Sequence, residues 1–249
     1  MVMQPAPATQ ELTDNFNAYV TRGRKLTAFE IKGLEKKANA LKDKIDFSDY
    51  YVSLGIIAAL RQDNESVTYN FENALKLAPT DTTVLSEYLI ALRNSGWYLQ
   101  ALTLGRSLTK KLTNDNSLIA DMIESAFCLG RFHEAYELLN KLPEPQQYQG
   151  YQDIIEAIEI VDYVQLGDDE AEQLQQLAFS ILQNHHLYFS GIRMGIMNDF
   201  IHYEIYVDLP IDQIPALDFE LSLRFAEKLE NMRDDAIVFE YKSVDTLKR

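Results

Sequence analysis

Apolar residues recur with a helical period through most of the chain. One stripe consists of Ile31, Leu34, Ala38, Leu41 and Ile45, and a later one of Ile154, Ile155, Ile158 and Val161. Spacing of three or four residues puts such side chains on one face of an α-helix. Thr27 and Glu30 precede the first stripe with the spacing of a capping box, in which each satisfies a free amide. We therefore predict that a helix begins after Thr27, and that residues 151–165 and 169–185 form two more helices.

From residue 187 the pattern changes from helical to alternating. A half-buried strand is predicted by the alternating apolar positions Ile201, Tyr203, Ile205, Val207 and Leu209. Residues 192–197 are expected to pair with it across a tight turn at residues 198–199, and residues 237–241 to form a third strand. A helix between them is predicted to start at Asp212 and Pro215, with the stripe Leu217, Leu221, Phe225 and Leu229. This ββαβ segment of about 60 residues is small, so we expect it to pack on the last helix pair.

A spacing of 34 residues repeats in the middle of the chain. Gly96, Tyr98 and Ala101 are followed 34 residues later by Gly130, Phe132 and Ala135. In a first unit counted from Ser48, the characteristic small and large positions are Tyr51, Leu54, Gly55, Ala58, Val67, Phe71, Ala74 and Pro79. These positions resemble the tetratricopeptide repeat (TPR) consensus, with valine once in place of alanine. Units that begin at Thr82 and Asn116 keep the glycine, aromatic and alanine positions.

The resemblance implies a mostly α-helical chain: a TPR-like helical solenoid of αα hairpins, followed by a small α+β C-terminal unit. We predict a flexible N-terminus at residues 1–10, N-terminal capping helices at 11–47, three TPR-like helix pairs at 48–142, a degenerate fourth pair at 143–186 and an acidic ββαβ unit at 187–249. An unrelated α-helical bundle is the alternative fold.

The repeat register gives individual residues physical roles. Ala101 and Ala135 are expected to be buried where two helices cross closely. Gly96 and Gly130 fall in turns between helices, where a left-handed backbone favours glycine. Asp81 precedes the first helix of the second unit and is expected to cap its free amides. Asp115 is expected to do the same for the third unit.

Negative charge is concentrated at the C-terminal end. The net charge is −15, and residues 151–249 carry 7 basic and 20 acidic residues, a net of −13. Such a field repels nucleic acid and anionic membranes and attracts basic partners, although solubility alone is a second explanation. The first ten residues do not resemble a signal peptide, and the longest apolar run, residues 54–60, is too short to cross a bilayer. We therefore expect a cytoplasmic protein.

The sequence contains no motif of a catalytic or cofactor site. Cys128 is the only cysteine, which excludes an internal disulfide and a multi-cysteine metal site, and we expect a buried or half-buried structural thiol. His133 is expected in a turn between helices. The acidic cluster from Asp168 to Glu172 is expected to cap the helix that begins there, where negative charge is favoured. We expect no enzyme activity, no cofactor and no metal.

TPR arrays bind peptides along the concave surface formed by the first helix of each pair. The resemblance places on that groove Val52 and Ile56 in the first unit, Glu87, Ile90, Arg93 and Asn94 in the second, and Asp121, Glu124 and Phe127 in the third. Family members that clamp a terminal carboxylate use Lys, Arg and Asn at several of these positions, whereas most are apolar or acidic here. The expected partner is another protein that binds through an apolar segment carrying Lys or Arg. We expect neither nucleic-acid binding nor membrane insertion.

Three functions are compatible with these patterns. The first is a protein–protein interaction module, an adaptor, chaperone or scaffold that binds a partner segment in the groove. The alternative is an acidic inhibitor, an immunity protein or antitoxin that neutralises a basic enzyme with help from the C-terminal unit. The third is an enzyme whose site lies in that unit.

Overall fold

A computed structural model describes residues 26–109, 115–185, 187, 189–197, 200–228 and 236–248. The predictions for residues 1–25, for the turn at residues 198–199, and for His186 and Leu229 lie outside these residues. The described chain is mostly helical, with a small three-stranded sheet near its C-terminal end. No described helix is both long and apolar enough to cross a bilayer. The chain forms two compact units, unit 1 (residues 1–97) and unit 2 (residues 98–249).

The first described helix of unit 1 starts at a position that was predicted from two residues. Its described helices are α1 (Ala28–Leu41), α2 (Phe47–Leu60), α3 (Asn64–Leu77) and α4 (Thr82–Asn94). The N–H of Glu30 donates to Oγ1 of Thr27 at 3.2 Å, and the N–H of Thr27 donates to Oε2 of Glu30 at 2.8 Å. These two hydrogen bonds satisfy amides that have no partner within the helix, so the predicted capping box is confirmed.

The predicted signals at the two ends of α4 are also confirmed. Oδ1 of Asp81 accepts hydrogen bonds from the N–H groups of Thr83 and Val84, at 2.8 and 3.4 Å. Gly96 follows the helix with a φ of +79°, a left-handed conformation that costs other residues more. Helix α4 therefore starts and stops where local chemistry directs it.

The core of unit 1 is built around α2, which contacts α1, α3 and α4. Phe71 of α3 is fully buried, and its ring stacks on that of Tyr88 of α4, with centroids 4.7 Å apart and planes inclined by 5°. A Cβ at Gly55 of α2 would lie 2.6 Å from the Phe71 ring. The absent side chain at Gly55 thus lets α2 and α3 approach this closely.

Unit 2 contains helices followed by the sheet. Its described elements are α5 (Tyr98–Thr109), α6 (Asn116–Cys128), α7 (Phe132–Leu139), α8 (Tyr151–Val164), α9 (Asp168–Asn184), β1 (Phe189–Met197), β2 (Phe200–Val207), α10 (Ile214–Lys228) and β3 (Ile237–Ser243), with short 3-10 turns at Pro145–Gln147, Ile211–Gln213 and Val244–Lys248. The structure has no strand among the described residues between 50 and 140. The helices predicted at residues 151–165 and 169–185 are present as α8 and α9, and the solenoid arrangement of the helix pairs stays a prediction.

Local predictions for unit 2 are confirmed at its first helices. Asp115 accepts hydrogen bonds from the N–H groups of Ser117 and Leu118 and so caps α6. Gly130 lies between α6 and α7 with a φ of +86°. Ala101 and Ala135 are both fully buried. Small side chains at these buried positions allow closer packing than larger ones would.

The sheet has the order β1-β2-β3, with β1 antiparallel and β3 parallel to β2. The predicted inward positions of β2 are fully buried: Ile201, Tyr203, Ile205 and Val207. Leu209 was predicted within this strand but lies beyond its end, and β1 begins at Phe189, before the predicted residue 192. Both differences are at the same end of the strand pair, where Phe189, the first residue of β1, lies opposite Val207, the last residue of β2.

Helices α6 and α9 meet the buried side of the sheet. The hydroxyl of Tyr203 donates to the carbonyl of Phe127 in α6 at 3.1 Å, and the hydroxyl of Tyr241 donates to the carbonyl of Ala178 in α9 at 2.6 Å. Helix α8 contacts both β1 and β2, and α10 contacts α9. The C-terminal segment therefore packs on the last helix pair, as its small size led us to expect.

Candidate functional site

The residues predicted to line a TPR-like groove divide between the two units. Six lie in unit 1 and three in unit 2. In α2, Val52 and Ile56 are buried, 4% and 2% exposed, and a buried side chain offers a partner little surface. In α4, Glu87, Ile90, Arg93 and Asn94 are half-buried; in α6, Asp121 and Phe127 are half-buried and Glu124 is exposed. The assignment of these residues to one groove stays a prediction.

Helix α8 has apolar side chains on two faces. Its buried stripe consists of Ile154, Ala157, Val161 and Val164. The sequence pattern had included Ile155 and Ile158 in this stripe, but both are half-buried, because the helix turns Ala157 and Val164 toward the core instead. Ile160 and Tyr163 fall outside the buried stripe, on the side that carries Glu156 and Glu159.

This second face of α8 forms one wall of an open cleft of about 690 Å³ within unit 2. We call it the α8 cleft. Its lining consists of Glu156, Glu159, Ile160, Tyr163 and Val164 from α8, Ile196 from β1 and Phe200 from β2. The cleft therefore lies between α8 and the end of the β1–β2 pair, and packing of the C-terminal segment on α8 creates it.

The α8 cleft combines exposed apolar surface with negative charge. Tyr163 is 87% exposed, Phe200 is 38% exposed, and the neighbouring Met197 is 56% exposed. Glu156 accepts a hydrogen bond from Nε2 of Gln152 at 2.8 Å. No ion pair to Glu156 or Glu159 occurs among the residues that the structure describes. Such a surface can bind an apolar group beside a cation.

A second polar cluster in unit 2 is occupied by its own charges. Arg131 makes ion pairs with Glu134 at 2.8 Å, Asp169 at 2.9 Å and Glu172 at 2.7 Å. Burial alone would lower the pKa of Arg131, but hydrogen bonds to Glu172, Glu134 and Asp169 raise it overall. Nε of Arg106 in α5 also donates to Glu134, at 2.7 Å. These contacts connect α5, α7 and α9.

The acidic cluster at the start of α9 serves two helices. Glu170 accepts from the N–H of Gly167 at 3.3 Å, as expected for a residue that caps its own helix. Asp168 instead accepts from the N–H groups of His133 and Glu134, at 2.9 and 3.1 Å, and so caps α7. The expected acidic first turn of α9 is therefore present, with Asp168, Asp169 and Glu170 in it, and Asp168 in addition caps α7.

The described histidines contact carboxylates on other elements. His133 lies in the first turn of α7, not in the turn before it, and its ring contacts Asp168 at 2.8 Å and Asp162 at 3.0 Å. His185 contacts Glu220 at 2.6 Å, and His202 lies 3.4 Å from Glu240. Cys128 is buried, as expected. Among the described residues, no three His, Cys, Asp or Glu side chains are grouped so that they could hold a metal ion.

The sequence offered one signal for the α8 cleft. Ile160 and Tyr163 are apolar at positions outside the stripe that faces the core, beside two carboxylates at i and i+3 spacing. The opposite wall, Ile196 and Phe200, comes from a distant segment. Comparison of the chain with family models, with curated proteins and with solved structures gave no match. The TPR resemblance of residues 48–142 therefore stays a prediction.

Proposed function

We propose that this protein is a non-catalytic binding module that holds an apolar, Lys- or Arg-containing segment of another protein in the α8 cleft. One observation carries this function: exposed aromatic surface lies beside two carboxylates that have no ion-pair partner in the described chain. A nucleic acid is disfavoured as the partner because its phosphates would be repelled by these carboxylates.

The two kinds of surface contribute differently to binding. Burial of one partner Leu or Val side chain against Ile160 and Tyr163 contributes about 1.5–3 kcal/mol. An ion pair at the partly open rim contributes about 0.2–1 kcal/mol and weakens with salt. Apolar contact therefore supplies most of the affinity. Glu156 and Glu159 select a basic partner and speed its approach.

The same cleft accommodates the inhibitor form of this function. It lies within residues 151–249, where the net charge is −13, and a basic enzyme would be attracted to that surface. An adaptor or scaffold leaves its partner active, whereas an inhibitor abolishes the partner's activity. An activity assay of the captured partner, with and without this chain, separates the two.

Charge reversal in the cleft tests the proposal. The partner is captured from the native cell with the wild-type chain, identified and purified, and its Kd is measured for the Glu156→Lys/Glu159→Lys variant. We expect about 5- to 30-fold weaker binding, because two favourable contacts are replaced by repulsion. Helix α8 should remain folded because Glu159 is exposed and Glu156 is half-buried beside an open cleft, so neither belongs to the buried stripe.

The matched control reverses two charges elsewhere in unit 2. Asp208 and Glu227 are exposed, lie outside the cleft lining and have no ion pair among the described residues. Asp208→Lys/Glu227→Lys changes the net charge by the same amount and should bind the partner nearly as the wild type does. Equal binding by the cleft variant and the wild type would show that the partner binds elsewhere.

A further inference from the structure

Strand β1 lies at an edge of the sheet, next to the α8 cleft. In the described chain it pairs with β2 on one side, and no backbone hydrogen bond joins it to any other described segment. It has 9 residues, contains no proline, and carries one charged residue, Arg193. A long, weakly charged edge presents a row of N–H and C=O groups to which another extended chain can pair.

The opposite edge of the sheet, formed by β3, is partly covered by α10. The N–H of Tyr241 in β3 donates to Oδ1 of Asp218 in α10 at 2.9 Å, and α10 packs against β3. Because Asp218 is not part of the sheet, this N–H points away from β2 and is satisfied by a side chain. The β3 edge is thus partly closed by α10, whereas the β1 edge has no such cap among the described residues.

The side chains of β1 are also left half-covered on the side that faces the core. Ile192, Met194 and Ile196 pair with Ile205, Tyr203 and Ile201 of β2. The β2 residues are fully buried, whereas the β1 residues are half-buried. One further strand beside β1 would cover these apolar side chains, of which Ile196 also lines the α8 cleft.

We propose that the partner segment binds as an added β-strand along β1, a mode that rests on the binding function proposed for the α8 cleft. Backbone hydrogen bonds to β1 supply affinity that is independent of the partner's side chains. Because side chains alternate along a strand, every second residue of the segment points to the cleft. Apolar residues at these positions meet Ile160 and Tyr163, and Lys or Arg among them reaches Glu156 or Glu159.

Charge argues for a basic segment as the occupant of this edge. A second copy of this chain would bring together two molecules that each have a net charge of −15. Like charges disfavour that association, whereas a Lys- or Arg-containing strand gains from the same field. A helical segment would fill the cleft without using the N–H and C=O groups of β1.

A synthetic octapeptide tests this mode of binding. Its sequence is Val-Thr-Lys-Thr-Val-Thr-Lys-Thr, so one face carries Val and Lys and the other carries Thr. Two derivatives of this peptide each carry two backbone N-methyl groups on interior residues. In the first derivative both methylated residues belong to the Val/Lys face, and in the second both belong to the Thr face. Only one set directs its N–H groups to β1 in an added strand, so one derivative should bind at least about tenfold more weakly than the other.

Fluorescence anisotropy of labelled peptides gives these affinities for the full chain, for Glu156→Lys/Glu159→Lys and for the Asp208→Lys/Glu227→Lys control. Strand addition is supported by a difference in affinity between the two methylated peptides, together with slower hydrogen exchange of β1 amides in the complex.

Three outcomes overturn strand addition. If both methylated peptides bind equally well and the cleft variant loses this binding, the cleft function still stands. Absence of binding by every peptide overturns strand addition, and capture of the native partner then tests the cleft function separately. A chain that is dimeric alone, with β1 amides protected in the dimer, overturns it in favour of a second copy.

Discussion

At the scale of single residues, Gly55 illustrates how a missing side chain positions two helices. A Cβ at position 55 would lie only 2.6 Å from the ring of Phe71. That ring stacks on the ring of Tyr88. Phe71 is fully buried, so its ring cannot move into solvent to make room. Gly33 in α1 offers a contrast, because it is exposed and a Cβ there would meet no atom within 4 Å.

The two glycines predict opposite effects of one substitution. Gly55→Ala should lower the free energy of unfolding by about 1–3 kcal/mol, because the added methyl group overpacks the contact with Phe71. Gly33→Ala should raise it by about 0.5–1 kcal/mol, because alanine loses less backbone entropy in a helix. Urea denaturation of both variants measures the two changes. A stabilised Gly55→Ala variant would contradict the close approach of α2 and α3.

At the scale of elements, Asp168 connects two helices that are far apart in sequence. It caps the N-terminus of α7 and also contacts the ring of His133, which contacts Asp162 of α8 as well. Burial by itself would lower the pKa of His133, but the hydrogen bonds to Asp162 and Asp168 raise it above 6.5. The protonated ring thus stabilises the arrangement of α7, α8 and α9.

This contact predicts a pH dependence of stability. A raised pKa in the folded state means that the contribution of His133 is fully present below about pH 6.5 and is lost as the pH rises through the folded-state pKa. The stability advantage of the wild type over His133→Gln should therefore decrease between about pH 5.5 and about pH 8.5. Urea denaturation of both proteins across this range measures the difference in the free energy of unfolding at each pH. An advantage that is constant with pH would exclude the contribution of the protonated ring.

At the scale of the whole molecule, charge sets how fast a basic partner arrives, and local contacts set how long it stays. The net charge of −15 attracts a basic segment from a distance, and salt screens that attraction. Recognition at the α8 cleft requires residues close to the bound segment. Reversal of distant carboxylates should therefore change the association rate more than the dissociation rate.

Glu87 and Glu124 provide the comparison between the cleft and the groove implied by the TPR resemblance. If the partner binds in the α8 cleft, Glu87→Lys/Glu124→Lys should change the Kd by no more than about twofold at physiological salt. Glu156→Lys/Glu159→Lys should weaken binding by more than that. Stopped-flow association rates at several salt concentrations, with Kd values from calorimetry, measure both effects. If Glu87→Lys/Glu124→Lys weakened binding more than Glu156→Lys/Glu159→Lys, the result would support recognition through the predicted groove residues.

Much of the secondary structure could be predicted because its causes are local. Thr27, Asp81 and Asp115 cap helices through amides two or three residues away, and a turn at Gly96 needs only its own backbone. The alternation that begins at Ile201 predicted which side of β2 is buried. The candidate site could be predicted only on its α8 side.

The sequence by itself determined where helices and strands occur, how several of them are capped, and that negative charge is concentrated at the C-terminal end. Only the tertiary structure decided which distant groups meet. Asp168 caps a helix that begins 36 residues earlier at Phe132, and Tyr203 donates to the carbonyl of Phe127. The α8 cleft likewise has Tyr163 of α8 and Phe200 of β2 in its lining. Periodicity and capping report each residue's near neighbours, whereas these contacts depend on how whole elements pack, which no local spacing encodes.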